Sequence, residues 1–351
     1  MAREFDLIND FFAPLGAPSG SELHNGREGQ IGIGDDGAVI SVPPGQQAVV
    51  VTDTLVAGVH FPLQTSPFDI GWKSLAVNLS DLAAMGARPA FYSLALTLPT
   101  YDAEWLSEFA KGLKAASESG CGEMVPLIGG DTTKGPLCIT VSAQGWVPNG
   151  QAIMRHSARE GDRIFVTGTL GDAALGLKLA MPEFWGDFTP LSFSDEDRAK
   201  LLEALNRPKP QLAYSDFLRE YASSAIDISD GLLADLGHIL ERSSMRFGYD
   251  LKGCIDLAAL PKSQAMQMYL QQTHDWRAIL SGGDDYQICF TVSVDKLESM
   301  REAARKYDLE VYEVGSIELR MEGDGQLELM KHGQIDFAVM QSLAMKGFQH
   351  F

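Results

Sequence analysis

Residues 47–54 read Gln47-Ala-Val-Val-Val-Thr-Asp-Thr54, a short β-branched run that ends in an acid between two hydroxyl residues. Because β-branched residues favour extended backbone, the run predicts a strand over Gln47–Thr52. Further along, Ser66-Pro67 supplies an N-cap and a first-turn proline for a helix that continues to about Met85 and ends before Gly86. A strand followed by a largely apolar helix predicts a mixed α/β fold.

The same alternation continues along the chain. The further predicted strands are Ala90–Leu98, Pro136–Val147, Arg163–Thr167, Ala225–Ile228, Asp285–Val294 and Leu309–Ile317. The further predicted helices are Ala103–Ser119, Asp172–Met181, Asp195–Asn206, Pro210–Tyr221 and Asp230–Ser243, and a charged helix lies between the last two strands. A turn at Pro148-Asn149-Gly150 divides the chain, so we expect an N-terminal domain at 1–150 and a C-terminal domain at 151–351.

Composition excludes several classes of partner. The formal net charge is −19, with 47 acidic against 28 basic residues, so we expect neither nucleic acid nor an anionic membrane as a partner. No apolar run approaches the ~20 residues that a membrane helix needs. Acids near the start replace the apolar stretch of a signal peptide, which favours the cytoplasm. The four cysteines form no C-x-x-C pair, so neither a zinc site nor a disulfide framework is predicted.

The chain lacks two familiar phosphate-binding signatures and carries a third in an unsuitable context. A P-loop requires a Gly-Lys pair, which does not occur in the sequence, and the H-R-D and D-F-G set of protein kinases is also missing. Gly32-Ile-Gly-Asp-Asp-Gly37 matches G-x-G-x-x-G literally. However, it follows a polar segment rather than a strand, and Pro43-Pro44 interrupts the long helix that a dinucleotide fold requires.

Acids beside glycine or hydroxyl residues recur along the chain, and we expect them at strand ends. They occur in Gly34-Asp-Asp36, Thr52-Asp-Thr54, Asn78-Leu-Ser-Asp81, Gly129-Gly-Asp-Thr-Thr133, Asp227-Ile-Ser-Asp-Gly231 and Gly282-Gly-Asp-Asp285. A single motif of this kind is usually a turn or a helix cap. Several in one cleft would bind magnesium, which prefers hard oxygen ligands, and through it a polyphosphate. A very acidic protein can hold ATP in this way.

One of these acids lies in an apolar setting. Asp81 is surrounded in sequence by residues such as Leu79 and Leu82, where an unpaired carboxylate is costly. Asn78 lies three positions earlier on the same predicted helix and shares its face. The pair therefore predicts joint ligation of a cation.

Together these motifs resemble the ordered motif set of thiamine-monophosphate kinases, within the wider aminoimidazole ribonucleotide synthetase superfamily. The resemblance runs from about residue 5 to Phe348 and includes Thr52-Asp-Thr-Leu-Val-Ala-Gly-Val-His60 and Ser281-Gly-Gly-Asp-Asp-Tyr286. It implies a two-domain α/β fold in which the N-terminal domain pairs with its twin in a homodimer and a larger C-terminal domain completes the site. It also implies phosphorylation of thiamine monophosphate by ATP with several magnesium ions.

The resemblance implies site residues position by position. The expected magnesium ligands are Asp36, Thr52, Asp53, Asp81, Asp131, Asp227 and Asp230. The expected ATP contacts are Gly130, Asp131, Arg155 and Ser229. The expected thiamine monophosphate contacts are His60, Asp284 and Phe348. The chain departs from the family pattern where Asp284 replaces a glutamate, Gln287 replaces an acid, and Val51 stands where many relatives have a hydroxyl residue.

The expected reaction needs no general base, because a phosphate monoester with a second pKa of about 6 is already ionised near neutral pH. Related enzymes of the superfamily remain alternatives: an aminoimidazole ribonucleotide synthetase, a selenophosphate synthetase or a hydrogenase-maturation enzyme. The last two would require a reactive N-terminal cysteine or a C-terminal cysteine, and neither is present. A non-enzymatic acidic metal-binding protein or an ATP sensor is the alternative from a different class, and turnover of thiamine monophosphate would distinguish it from an enzyme.

Overall fold

The computed structural model describes residues 8–16, 33, 36–120, 124–182, 193–331 and 333–343. The chain divides into two compact units. The first comprises the described residues up to Ala83 together with Ala87–Ala152, and the second comprises Ala84–Gly86 together with the described residues from Ile153 onward. The separate roles predicted for the two halves of the sequence remain a prediction.

The first unit is a four-stranded sheet with two long helices, after short helical turns at Ile8–Phe12 and Ala13–Leu15. Its elements are β1 (Gln46–Val56), α1 (Pro67–Ala84), β2 (Arg88–Leu98), α2 (Ala103–Glu118), β3 (Leu127–Lys134) and β4 (Cys138–Pro148). The strand order is β1-β4-β2-β3. Only the β2–β3 pair is parallel; the β1–β4 and β4–β2 pairs are antiparallel.

The two helices of this unit pack at unusually close range. A Cβ atom at Gly71 of α1 would lie 2.1 Å from the carbonyl oxygen of Phe109, and one at Gly112 of α2 would lie 2.0 Å from that of Phe68. Only glycine permits this approach of two helix backbones. The sheet has one buried face, whereas its other face is open, with Val50 63% exposed.

The second unit is built on a seven-stranded mixed sheet of order β11-β10-β7-β9-β5-β8-β6. Its strands are β5 (Arg163–Thr167), β6 (Ser224–Asp227), β7 (Leu251–Asp256), β8 (Ile288–Val292), β9 (Val311–Leu319), β10 (Leu327–Lys331) and β11 (Gln334–Ile335). Its helices are α3 (Asp172–Ala180), α4 (Asp195–Asn206), α5 (Ser215–Tyr221), α6 (Leu232–Phe247), α7 (Gln264–Thr273), α8 (Arg277–Leu280), α9 (Leu297–Lys306) and α10 (Phe337–Leu343). Within the described ranges, none of the helices is long and apolar enough to cross a membrane.

The mixed α/β class predicted from the sequence is confirmed, whereas several elements differ. Strands β3, β7, β10 and β11 were not predicted. Glycine or polar residues interrupt the patterns of the first three, and β11 has only two residues, Gln334–Ile335. The helix expected from Pro210 begins at Ser215, after a short turn at Leu212–Tyr214. The expectation that the motif acids lie at strand ends is wrong for Asp53 and Asp131, which lie inside β1 and β3.

Candidate active site

Two predicted metal ligands meet in the first unit. Asp53 is an even number of residues from the buried Val49 and Leu55 along β1, so its side chain lies with theirs on the covered face of the sheet. There it shares a hydrogen bond with the side chain of Asp81 from the last turn of α1. Burial raises the pKa of Asp53, and the bond to Asp81 and the nearby His60 oppose that shift. Two carboxyl groups in contact require either a proton or a cation between them.

Asn78 lies one turn before Asp81 on α1 and is fully buried. Its Nδ2 donates to the carbonyl oxygen of Ser74 at 3.2 Å, while its Oδ1 finds no hydrogen-bond partner among the described residues. An unsatisfied buried acceptor costs roughly 1–3 kcal/mol. The residues present therefore fit a cation or its water shell beside the two carboxyl groups.

The other predicted ligands of this unit are dispersed. Asp131 is in register with Ala95 and, across the sheet, with Thr140 and Thr54, which places it on the face opposite Asp53. Thr52 also lies on that open face, where its Oγ1 is 2.9 Å from Ser142 Oγ. Asp36 is exposed ahead of β1.

Gly130 is a predicted ATP contact inside β3. A Cβ atom there would lie 1.9 Å from the carbonyl oxygen of Leu94, so this position requires glycine for close strand packing. Strand packing alone therefore accounts for glycine at position 130, and contact with ATP remains a prediction.

In the part of the chain that the structure describes, no group of three or more His, Cys, Asp or Glu side chains is arranged to hold a metal ion. The predicted ligands thus do not form a complete protein cage. Magnesium usually keeps several waters and takes one or two carboxylates together with substrate phosphates. A pair such as Asp53 and Asp81 matches that mode of binding.

His60 follows β1 in a tight turn. Its Nδ1 accepts a hydrogen bond from the backbone N–H of Val56 at 3.0 Å, and its own carbonyl oxygen accepts one from Lys73 Nζ at 3.3 Å. These contacts give His60 a structural role in the turn. Contact with a substrate, which the sequence predicts for this residue, remains a prediction.

The second unit contains a buried acid that sequence analysis did not single out. Asp235, in the first turn of α6, accepts hydrogen bonds through Oδ2 from the backbone N–H groups of Ser229 and Asp230, both at 3.1 Å. Burial raises the pKa of Asp235 to about 8, and the negative charges of Asp227 and Asp230 add to the shift. Asp235 thus fixes the loop that carries Ser229, a predicted ATP contact, and Asp230, a predicted magnesium ligand. Its apolar neighbours in the sequence were the available signal.

The predicted ATP and substrate segments of this unit are joined through their backbones. The N–H of Asp284 donates to the carbonyl oxygen of Ser229 at 2.9 Å, and the N–H of Tyr286 donates to that of Ile228 at 2.8 Å. A Cβ atom at Gly283 would lie 2.3 Å from the carbonyl oxygen of Ser229. The structure therefore brings the predicted contact for thiamine monophosphate beside a predicted contact for ATP.

Gln287, which replaces an acid of the family pattern, is held by its neighbours. Gln287 Oε1 accepts a hydrogen bond from Thr167 Oγ1 at 2.9 Å, and Thr167 Oγ1 in turn accepts one from the N–H of Ile288 at 2.9 Å. The side chain also fills the space over Gly168, where a Cβ atom would lie 2.5 Å from Gln287 Oε1. The neutral amide at this position joins two neighbouring strands of the sheet.

Arg155 lies on a segment that α6 holds. Ser243 Oγ donates to the carbonyl oxygen of Arg155 at 3.4 Å and accepts from the N–H of Ala158 at 3.1 Å. The guanidinium group of Arg159 lies 4.8 Å from the ring centroid of Phe247. The Arg155 side chain is exposed and available for a phosphate. Asp35 and Phe348 lie outside the described residues.

Comparisons with known proteins identify the family of this chain. A family model described as AIR synthase related protein, N-terminal domain, matches residues 34–147. A thiamine-monophosphate kinase of Salmonella typhimurium is 44% identical over 294 residues, covering 82% of each chain. One from Haemophilus influenzae is 38% identical over 348 residues, covering 99% of this chain and 98% of its own.

Solved structures give the same result. The crystal structure of a thiamine-monophosphate kinase from Stenotrophomonas maltophilia has a TM-score of 0.74 and 42% identity, covering 87% of this chain and 92% of that one. A structure described as AaThiL complexed with AMPPCP and TMP has a TM-score of 0.70 and 29% identity, covering 100% and 99%. With this identity over most of its length, the chain belongs to the thiamine-monophosphate kinase family.

Proposed function

We propose that this chain transfers the γ-phosphoryl group of ATP to thiamine monophosphate, giving ADP and thiamine diphosphate in the last step of thiamine diphosphate biosynthesis. The observation that carries this proposal is the backbone hydrogen bond from Asp284 to Ser229 at 2.9 Å. It joins the loop expected to contact the acceptor to the loop expected to contact ATP. Reactants held in this way gain from proximity and orientation, which are major sources of rate in phosphoryl transfer.

In the proposed step, a terminal phosphate oxygen of thiamine monophosphate attacks the γ-phosphorus of ATP in line. The bond from the γ-phosphorus to the oxygen that bridges it to the β-phosphate breaks, and ADP leaves with that electron pair. The attacking oxygen is already ionised near neutral pH, so no side chain needs to remove a proton. Ser229, Gly130 and Arg155 would hold ATP, while His60, Asp284 and Phe348 would hold thiamine monophosphate.

Magnesium is part of the proposal. Bound magnesium neutralises phosphate charge, which an acidic chain with a net charge of −19 otherwise repels. Support comes from the hydrogen-bonded pair Asp53 and Asp81 and from the buried Oδ1 of Asn78, which has no hydrogen-bond partner within the described ranges. We propose further magnesium ligands at Asp36, Thr52 and Asp131 of the first unit and at Asp227 and Asp230 of the second, each acting together with bound phosphates and water.

We also propose a homodimer formed through the open face of the four-stranded sheet. Val50 is 63% exposed on this face, and the hydroxyl groups of Thr54 and Thr140 lie 2.8 Å apart beside it. The faces of a sheet are normally buried against other elements, against a partner or exposed to solvent. In a homodimer, the same face of a second copy would bury this open face. The cytoplasm is the proposed location, since ATP is available there and the described Cys138, Cys254 and Cys289 are free thiols.

The reaction is tested by measuring thiamine diphosphate formation from thiamine monophosphate, ATP and magnesium. Product from the wild type and near-complete loss in Asp131→Asn support metal-assisted transfer. An intact wild type that binds ATP and forms no product would exclude this acceptor. The same result would favour an ATP sensor or another enzyme of the superfamily.

A further inference from the structure

Asp285 lies between two residues with unusual backbone conformation. Asp284 has φ 69° and Tyr286 has φ 48°, both in the left-handed region. This region is uncommon for aspartate and exceptional for a bulky residue such as tyrosine, so the surrounding structure has to impose it. Strained backbone of this kind often occurs at functional sites.

The side chain of Asp285 supplies one anchor for this loop. The residue is buried, and its Oδ2 accepts a hydrogen bond from the backbone N–H of Gly171 at 2.7 Å. It also accepts one from the backbone N–H of Ala173. These N–H groups lie at the start of α3, where the helix leaves its first N–H groups without internal partners.

The first acid of α3 does not compete for this role. The two carboxylate oxygens of Asp172 accept hydrogen bonds from Thr169 Oγ1 at 3.0 Å and from Ser263 Oγ at 2.5 Å. Asp172 therefore faces a different set of donors, and Asp285 caps α3 from a loop that is distant in the sequence. The anchor ties the position of the Asp284 loop to a helix that carries no predicted ligand.

The backbone on either side of Asp285 supplies the second anchor. Asp284 and Tyr286 donate their N–H groups to the carbonyl oxygens of Ser229 and Ile228, and Ile228 donates its own N–H to the carbonyl oxygen of Gln287 at 2.7 Å. The hydrogen bonds from α3 to Asp285 and those from Asp284 and Tyr286 to the Ser229 loop all depend on the backbone conformation of residues 284–286. Loss of the Asp285 anchor would release the left-handed conformation and with it the pairing to Ser229.

We propose that Asp285 is a positioning residue for phosphoryl transfer: by capping α3 it holds Asp284 in register with Ser229 and so aligns the acceptor with ATP. The inference rests on the proposed function. Asp285 itself contacts neither substrate, because its carboxylate is buried and occupied by the N–H groups of α3. Burial also raises its pKa well above the ordinary value, an environment that disfavours a charged ligand for metal.

The geometry is tested first by hydrogen exchange in Asp285→Ala, at a temperature where circular dichroism shows the variant folded. We expect the amide protons of Gly171, Asp284 and Tyr286 to exchange at least tenfold faster than in the wild type. Unchanged exchange at all three amides would overturn the proposal. This readout does not depend on the identity of the substrate.

Kinetics then test the role. We expect Asp285→Ala to raise the KM for thiamine monophosphate and to lower kcat, each at least tenfold, with less than a threefold change in the KM for ATP. Asp285→Asn keeps a carbonyl acceptor for the N–H of Gly171 and should recover most of both losses. If the alanine protein does not fold, Asp285→Val replaces it, because valine fills similar space and offers no acceptor. Wild-type kinetics in a folded Asp285→Ala protein would overturn the positioning role.

Asp162→Asn is the matched control, since Asp162 is another buried aspartate of this unit whose Oδ2 accepts a backbone hydrogen bond, from Arg159 at 3.1 Å. We expect it to lower Tm while both KM values stay within threefold of the wild type. The same kinetic change in this control would also overturn the proposal. A wild type that does not phosphorylate thiamine monophosphate would refute the proposed function instead, whatever the variants do.

Discussion

The backbone N–H of Asp284 donates a hydrogen bond to the carbonyl oxygen of Ser229 at 2.9 Å, which joins two loops that are more than fifty residues apart in the chain. A buried acid anchors each loop. Asp235 accepts a hydrogen bond from the Ser229 loop, and Asp285 anchors its own loop by accepting one from Gly171 at the start of α3. The contact depends on a small residue, because Gly283 leaves no room for a Cβ atom beside Ser229. Several measurable consequences concern this contact and the carboxylate pair of the first unit.

Gly283→Ala should disrupt the contact between the two loops. The added Cβ atom would lie 2.3 Å from the carbonyl oxygen of Ser229, so one loop has to move. Overpacking of this kind costs about 2 kcal/mol of unfolding free energy, and we expect kcat to fall at least tenfold. Urea unfolding and steady-state kinetics provide the measurements.

Gly237→Ala is the control for this glycine variant. It lies inside α6, where the nearest atom to a new Cβ is Gln326 Oε1 at 3.9 Å. Alanine in an open helix interior should stabilise the protein by about 0.5–1 kcal/mol and leave kinetics unchanged. Wild-type activity in Gly283→Ala would contradict the role of the loop contact.

Asp53→Asn should separate stability from metal dependence. Because burial raises the pKa of Asp53, the charged form is disfavoured in the metal-free fold, and the stability it contributes is lost as pH rises through the raised folded-state pKa. We therefore expect the variant without metal to be at least as stable as the wild type at pH 8 in thermal unfolding. The magnesium concentration for half-maximal activity should rise at least tenfold. A variant with unchanged magnesium dependence would show that Asp53 is not a ligand.

Acid stability should depend on Asp275. Although burial alone would raise its pKa, hydrogen bonds from Arg277, at 2.8 Å and 2.9 Å, and from Tyr269, at 2.6 Å, hold the pKa of Asp275 below its ordinary range, and the charge of Lys178 adds to this. A lowered folded-state pKa contributes stability that is present above the unfolded value of about 3.9 and is lost as pH falls below it.

Asp275→Asn should therefore cost about 3 kcal/mol of unfolding free energy at pH 7. The difference from the wild type should shrink between about pH 4 and about pH 2. Urea titrations at a series of pH values measure it. A difference that stays constant over this range would mean that the charge of Asp275 does not contribute.

Val50→Glu tests the open face of the first unit's sheet. A charge within the proposed homodimer interface should leave the chain monomeric in light scattering, because burying an unpaired carboxylate there is costly. Val294→Glu is the matched control, since Val294 is 59% exposed in the second unit. A wild type that is already monomeric, or a dimer that Val50→Glu leaves intact, would refute this interface.

The sequence predicts the strongly patterned elements well, because β1 and α1 show clear β-branched and apolar patterns with a helix start at Ser66-Pro67. Strand β3 was missed because Gly129 and Gly130 interrupt its strand pattern. The structure shows that glycine at 130 allows β3 to pack closely against Leu94. Such a contact between distant strands leaves no local pattern.

In the candidate site too, local sequence patterns predict some residues, whereas contacts between distant segments determine others. Spacing on one helix predicts that Asn78 and Asp81 share a face, and Asp53, which hydrogen-bonds to Asp81, came from motif recognition. Asp235 and Asp285 act through backbone N–H groups of other segments, and such long-range hydrogen bonds are not encoded in residue type or spacing. The three-dimensional structure is needed to find residues of this kind.

The most direct measurement follows the label from γ-³²P-ATP in a reaction with thiamine monophosphate, magnesium and the wild-type chain. We predict that the label appears in thiamine diphosphate in a one-to-one ratio with ADP. Label released only as inorganic phosphate, or ATP that remains intact, would contradict direct transfer between the two substrates.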